Sequence, residues 1–151
     1  MIRGELKKRA EFFSKNLLGL PYMYEVRFAT KEDSKELGVC FSVNNVRGCF
    51  YGEGYGGRCG CVTILIAPGL KRDLPELNAV LIHELLHFKL WYLGYPSEDN
   101  TLEFRHEAEK LMVVWDKRFD KEKRKWLRIE TEEQRKRFCE YEQMFQDFIK
   151  S

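Results

Sequence analysis

Apolar residues recur along the chain with two different periods, and these periods predict its elements. Near the N-terminus one stripe repeats at helical spacing until the letters GLP interrupt it, which predicts a helix. The stripe comprises Leu6, Ala10, Phe13, Leu17 and Leu20. The segments YMYEVRFAT and CVTILIAP are typical of strands, and CFSVNNVRGCFYGEGYGGRCG between them predicts a turn-rich strand or hairpin. The first part of the chain is therefore expected to be a helix followed by strands.

The next apolar segment carries the start and stop signals of a helix. Asp73 suits the N-cap position and Pro75 suits the first turn. Gly94, followed by Pro96, predicts the end. Residues 74–93 are therefore expected to be helical.

This helix has one strongly apolar face. At about 100° per residue, His83 and His87 lie nearly opposite that face and next to each other. The apolar face comprises Leu77, Leu81, Leu85, Phe88 and Tyr92. The pattern predicts that both histidines point away from the main core.

Two further helices are expected after this one. Asn100 and Glu103 have the spacing of a capping box, as do Thr131 and Gln134. The first of these helices has an apolar stripe of Phe104, Ala108, Leu111, Met112, Trp115 and Phe119. The second has a stripe of Phe138, Tyr141, Phe145, Phe148 and Ile149. Residues 120–151 are therefore expected to form a helical C-terminal extension.

Composition indicates a soluble globular protein. The chain has 151 residues, of which 44% are hydrophobic and 33% charged, and residues 1–151 are expected to form a single domain. No apolar segment approaches a membrane span, and the N-terminal segment lacks the apolar core of a signal peptide, so a cytoplasmic location is predicted. The net charge of +2 predicts no general attraction to nucleic acid or to an anionic membrane surface.

Two motifs in the middle of the chain are given simple interpretations. The letters GEGYGG at 52–57 satisfy GxGxxG, but they lead into a strand and not into a helix, so a loop or edge-strand irregularity is favoured over dinucleotide binding. The four nearby cysteines lack a CxxC pair and are expected to be thiols, with a second metal site as the less favoured alternative. These are Cys40, Cys49, Cys59 and Cys61.

The predicted helix over 74–93 carries the chain's most specific motif. His83 and His87 are four residues apart, so both imidazoles can reach one point beside the helix, as a metal ligand pair does. Glu84 lies beside them, able to reach a metal-bound water without being a ligand. This arrangement is HExxH, which predicts a zinc site. The alternative is that the two histidines are ordinary core residues.

A catalytic zinc site normally takes three protein ligands, so a third is sought downstream. On the helix that follows, Glu107 lies at the rim of the apolar stripe, whereas His106 lies opposite the stripe and Glu103 well outside it. Glu107 is therefore the predicted third ligand. The alternatives are a rim carboxylate paired with Lys110 or Lys117, and a solvent-facing His106.

With HELLH followed by HEAEKL, the chain resembles the gluzincin metallopeptidases, and the order of its elements is similar to that of the minigluzincins. The resemblance covers residues 5–120. It implies an α+β, zincin-like fold: an N-terminal helix, a small twisted sheet, the HExxH helix and a helix bearing a ligand glutamate. It also implies that His83, His87 and Glu107 bind zinc and that Glu84 is the general base of peptide hydrolysis.

The resemblance implies a peptide or protein substrate and a further residue that stabilises the oxyanion. Tyr92, Tyr95 and His106 are the candidates. The long C-terminal segment has two alternative roles: it completes a small core, or it covers the cleft and keeps the peptidase latent.

Two other functions remain open on sequence grounds. The chain is also similar to SprT-like proteases, although Asn100 stands where their third histidine ligand is expected. In that case the basic runs within 121–137 would contact nucleic acid, but interleaved acidic residues favour a solvated helix face. The other alternative is a metal-binding scaffold without turnover.

Overall fold

The structure is a computed structural model, which describes residues 4–21, 24–42, 46–52, 62–98, 101–113, 118–120, 125–127 and 131–151. Within these residues the chain is an α+β protein. Its helices are α1 (Glu5–Leu17), α2 (Lys31–Leu37), α3 (Leu74–Tyr92), α4 (Leu102–Leu111) and α5 (Glu132–Lys150). Its strands are β1 (Glu25–Phe28), β2 (Gly48–Gly52), β3 (Val62–Ile66), β4 (Arg118–Asp120) and β5 (Lys125–Leu127).

β1, β3 and β2 form a mixed three-stranded sheet, with β3 between the other two strands. β1 pairs with β3 in parallel, with Val26 opposite Ile64. β2 pairs with β3 antiparallel, with Phe50 opposite the same Ile64. β3 is buried almost throughout, and a short 3-10 helix, Pro68–Arg72, connects it to α3. The sheet therefore places β2 at an edge, and the predicted strands in β1 and β3 are confirmed.

Helix α3 begins and ends where the sequence predicts. The Asp73 carboxylate accepts a hydrogen bond from the backbone N–H of Glu76 at 3.4 Å, and Pro75 occupies the first turn. The prediction that the histidines face away from the core is wrong, because α3 is buried on almost every side and His83 is only 1% exposed. Helix α4 and strand β2 cover the side that carries the histidines.

Helix α4 differs from its prediction at both ends. Thr101 is the N-cap, its hydroxyl accepting a hydrogen bond from the N–H of Phe104 at 3.3 Å, while Asn100 lies outside the described residues. The helix ends at Leu111 because Met112 adopts a left-handed conformation with φ 61°. Strands β4 and β5 then pair antiparallel. The prediction that the helical stripe continues to Phe119 is therefore wrong, as is a wholly helical segment after residue 120.

A short helix missing from the sequence-based prediction, α2, follows β1. Thr30 and Asp33 form its capping box, and Arg27 donates two hydrogen bonds to the Asp33 carboxylate. The guanidinium of Arg27 holds the pKa of Asp33 well below its ordinary value, against the opposing effect of burial. The helix is thus fixed at its N-terminus by an ion pair to the strand before it.

Helix α5 packs on α3 and, through the Phe145 ring, on Phe12 and Phe13 of α1. Its capping box of Thr131 and Gln134 is confirmed. Phe138, Tyr141 and Phe145 are buried, whereas Phe148 and Ile149 are exposed. The Tyr141 hydroxyl donates to the carbonyl of Leu111 at 3.1 Å, which ties α5 to the end of α4. These contacts support the packing role for the C-terminal segment.

A buried polar group joins α1, α3 and α5, and is here named the Arg9 cluster: Arg9, Asn78 and Glu142. The guanidinium of Arg9 donates to Asn78 Oδ1 at 3.2 Å and to Glu142 Oε2 at 3.0 Å. Asn78 Nδ2 donates to Glu142 Oε1 at 2.9 Å. Each member contacts both of the others, so the cluster fixes the relative positions of the three helices.

Several sequence-based expectations concern parts of the chain that the structure describes incompletely. Cys40 and Cys49 carry thiols and not disulfides, as expected, and so does Cys139. Cys59 and Cys61 lie outside the described residues. Most of the GEGYGG segment and much of the basic region 121–130 also lie outside them. Among the helices that are described, none is long and apolar enough to span a membrane.

Candidate metal centre

The two histidines of α3 converge, as their four-residue spacing predicts. Their Nε2 atoms lie 3.2 Å apart. His87 Nδ1 is hydrogen bonded to the backbone carbonyl of Ser97, in the segment between α3 and α4. Because a carbonyl oxygen can only accept, Nδ1 carries the proton, and the Nε2 of a neutral His87 presents a lone pair. This is the tautomer that a metal ligand requires, fixed through the opposite ring nitrogen.

The separation of the two nitrogens fits a metal ion. For zinc–nitrogen bonds of about 2.0–2.1 Å in a tetrahedral site, two ligand nitrogens lie about 3.3–3.4 Å apart. The observed 3.2 Å is close to that value. Both nitrogens could therefore bind one ion with little movement of the two side chains.

Aromatic rings from two other elements contact His87. The Phe104 ring of α4 stacks on it with centroids 4.4 Å apart, and the Phe50 ring of β2 lies 6.2 Å away at an interplanar angle of 12°. Phe104 also meets His83 edge to face, at 4.9 Å. These contacts restrict rotation of the imidazoles and explain why both helix α4 and the sheet edge belong to the site.

Glu84 completes the group. It is only 3% exposed, and one of its carboxylate oxygens lies with the ligand nitrogens of His83 and His87, all within 4.8 Å of one another. These three residues are named the HExxH cluster. A buried carboxylate is costly unless cations or hydrogen-bond donors accompany it, and a bound cation would satisfy it together with the imidazole lone pairs. The cluster is a candidate metal site.

Glu107, the predicted third ligand, lies outside the HExxH cluster as the structure describes it. Its carboxylate is 3.2 Å from Lys89 Nζ of α3 and 3.6 Å from Lys110 Nζ. The pair with Lys110 matches the alternative role that the sequence indicates for Glu107, whereas Lys117 lies outside the described residues. A ligand role for Glu107 stays a prediction.

The three candidates for stabilising an oxyanion are all exposed. Tyr92 is at the last turn of α3 and Tyr95 just beyond it, while His106 is on the outer side of α4. A solvent-facing His106 was one of the expectations. Because all three side chains are accessible to a bound molecule, exposure does not identify which of them would stabilise an oxyanion.

Sequence reasoning does not identify three further residues of the site: Ser97, Phe50 and Gly48, whose backbone lies against the Glu84 side chain. Ser97 contributes a backbone carbonyl, which no side-chain pattern reveals. Phe50 and Gly48 belong to β2, whose position beside α3 depends on pairing with β3. No local sequence signal could have placed these residues beside the histidines.

Comparison with protein-family models, with curated proteins and with solved structures gives no match for this chain. The interpretation of the site therefore rests on its own geometry and on the HExxH pattern.

Proposed function

We propose that the chain is a zinc-dependent peptidase that hydrolyses peptide or protein substrates at the HExxH cluster. One observation carries the proposal: two imidazole nitrogens 3.2 Å apart, one with its lone pair fixed by a hydrogen bond, beside a buried carboxylate. Imidazole ligands suit zinc, and a glutamate directly after the first histidine is what water activation at such a site requires.

Glu84 is assigned the proton transfers. When bound, zinc polarises the carbonyl of the peptide bond and supplies a water that loses a proton near neutral pH. Glu84 accepts that proton and delivers it to the nitrogen of the leaving amine as the carbon–nitrogen bond breaks, while the water oxygen stays on the carbonyl carbon. His83 and His87 hold the ion and take no part in proton transfer.

Glu107 is proposed as the third ligand. Support comes from the resemblance to gluzincins and from its place on α4, one helical turn after Phe104, which contacts both histidines. To bind the ion, its carboxylate would leave the ion pairs with Lys89 and Lys110. The metal content of Glu107→Ala and of His106→Ala, measured after dialysis against zinc, tests the assignment. Loss of zinc in His106→Ala alone would show that Glu107 is not the ligand.

The decisive experiment separates metal binding from chemistry. Wild type and Glu84→Gln are loaded with zinc and incubated with a library of unstructured peptides, and cleavage is followed by mass spectrometry. We expect Glu84→Gln to retain zinc and to lose activity by about 100-fold or more, because general acid–base catalysis contributes at least that factor. Glu109→Gln, the same change at an exposed position of α4, is the matched control and should keep both zinc and activity.

Two results would contradict the proposal, and a third would favour a different kind of peptidase. Equal cleavage by Glu84→Gln and wild type would remove Glu84 from the mechanism. Stoichiometric zinc in a wild type that cleaves no peptide would favour the metal-binding scaffold without turnover. Cleavage that requires DNA, with DNA binding that weakens steeply as salt increases, would favour the SprT-like alternative.

A further inference from the structure

Strand β2 lies along α3 and is held on both sides of Gly48. The residue before it, Arg47, is buried and forms an ion pair with Glu76 in the first turn of α3. Two residues after it, the Phe50 ring packs near His87. The backbone at Gly48 is therefore pressed against α3 between two fixed contacts.

The space at Gly48 is too small for a side chain. A Cβ atom built there would lie 2.8 Å from Val80 Cγ1, 3.0 Å from Glu84 Cγ and 3.1 Å from Glu84 Oε1. Ordinary contacts between carbon atoms are about 3.5–4.0 Å. Gly48 is not among the glycines with positive φ, so the backbone conformation does not require glycine here. The requirement is space, and two of the three nearest atoms belong to Glu84.

We propose that Gly48 is a positioning residue for Glu84. Its missing side chain lets the backbone of β2 form a wall against the Glu84 side chain and hold the carboxylate toward the two histidines. This inference rests on the proposed function, in which Glu84 transfers the protons. Any side chain at position 48 would push the carboxylate away while leaving the two imidazoles in place.

Four proteins test the inference: wild type, Gly48→Ala, Val80→Ala and the double variant Gly48→Ala/Val80→Ala. Removing the Val80 methyls relieves the shortest contact and protects folding, but it leaves the contact with Glu84. In crystal structures of the zinc-loaded proteins we expect the Glu84 carboxylate to move by about 0.5–1 Å in both Gly48→Ala variants, the shift that restores ordinary contact. In Val80→Ala it should stay in place.

Kinetics of the same proteins separate positioning from a general loss of structure. We expect zinc affinity to stay within about twofold of wild type, because His83 and His87 are not displaced. The kcat should fall about 100-fold with little change in KM, since misplacing a catalytic group by about 1 Å has effects of this size. Val80→Ala alone should keep the kcat of wild type.

An unmoved Glu84 carboxylate in the folded Gly48→Ala/Val80→Ala protein would overturn the inference. So would an unchanged kcat in that protein. If wild type cleaves no peptide, the proposed function fails, but the crystal structures still decide whether Gly48 positions Glu84.

Discussion

Helix α3 buries polar groups on two sides, and the two clusters differ in how their charge is balanced. In the Arg9 cluster the carboxylate of Glu142 meets a guanidinium and an amide from the same chain. In the HExxH cluster one buried carboxylate lies within 4.8 Å of two imidazole nitrogens. In the first cluster the negative charge of the carboxylate is balanced by groups of the protein. The second cluster offers ligand atoms to which an added cation would bind.

The pKa of Glu142 shows that neighbouring groups stabilise its charged form. Burial raises the pKa of its carboxyl, but hydrogen bonds from Arg9, Gln146 and Asn78 outweigh burial and lower the pKa below its ordinary value. Asn78 and His83 are separated by about 140° around α3. Helix α3 thus contacts a structural ion pair through Asn78 on one side and carries a candidate metal site on another, so each can be altered separately.

The largest effect is expected from opening the Arg9 cluster. Arg9→Met leaves the charge of Glu142 without its cation in a mostly buried position, which should lower the free energy of unfolding by about 3 kcal/mol. Arg9→Met/Glu142→Gln should recover much of that loss, because no unpaired charge remains. Urea unfolding followed by circular dichroism measures both. Equal destabilisation by the single and double variants would show that packing, and not charge, holds the cluster together.

A smaller effect on the free energy of unfolding is expected from zinc binding at the HExxH cluster. Zinc at about 100 times its Kd should raise the free energy of unfolding by about 2.7 kcal/mol, because it binds the folded state. His83→Ala should lose most of this response, and His106→Ala should keep it. Thermal unfolding with and without zinc makes the comparison. A full response in His83→Ala would place the ion elsewhere.

The smallest effect concerns the ion pair between Lys89 and Glu107. If Glu107 binds zinc, it must first leave Lys89, so Lys89→Met should strengthen zinc binding. A partly exposed pair contributes about 0.4 kcal/mol, which corresponds to about twofold in Kd. Lys110→Met, at a more exposed position and a longer distance, should change the Kd less. Competition with a chromophoric chelator measures the Kd, and weaker binding in Lys89→Met would argue against Glu107 as a ligand.

Local signals predicted the helices best. Asp73 and Pro75 defined α3, and Thr131 with Gln134 defined the start of α5, because caps act within one turn. The same kind of signal is present at Thr30 and Asp33, but the apolar pattern gives no indication of α2. The end of α4 could not be predicted, because the apolar stripe continues past Met112 although the backbone turns there.

The site was predictable only where it lies on one helix. The convergence of the histidines follows from helical spacing, and it is confirmed. The approach of Gly48 to Glu84 depends on sheet pairing and on the Arg47 ion pair, neither of which leaves a local pattern. Arg9 was also unpredictable as a buried residue, since its partner Glu142 is 133 positions away.

That long separation affects how the chain folds during synthesis. Helix α3 leaves the ribosome well before α5, because 58 residues separate the end of α3 from the end of α5. At about 5–20 residues per second these residues take about 3–12 s to be made. During this interval the surface of α3 that later packs on α5, and the rings of Phe12 and Phe13 that later contact Phe145, have no partner from α5. A nascent chain would thus expose apolar surface and the Arg9 guanidinium at the same time. Exposed apolar surface promotes association with chaperones or with other unfinished chains.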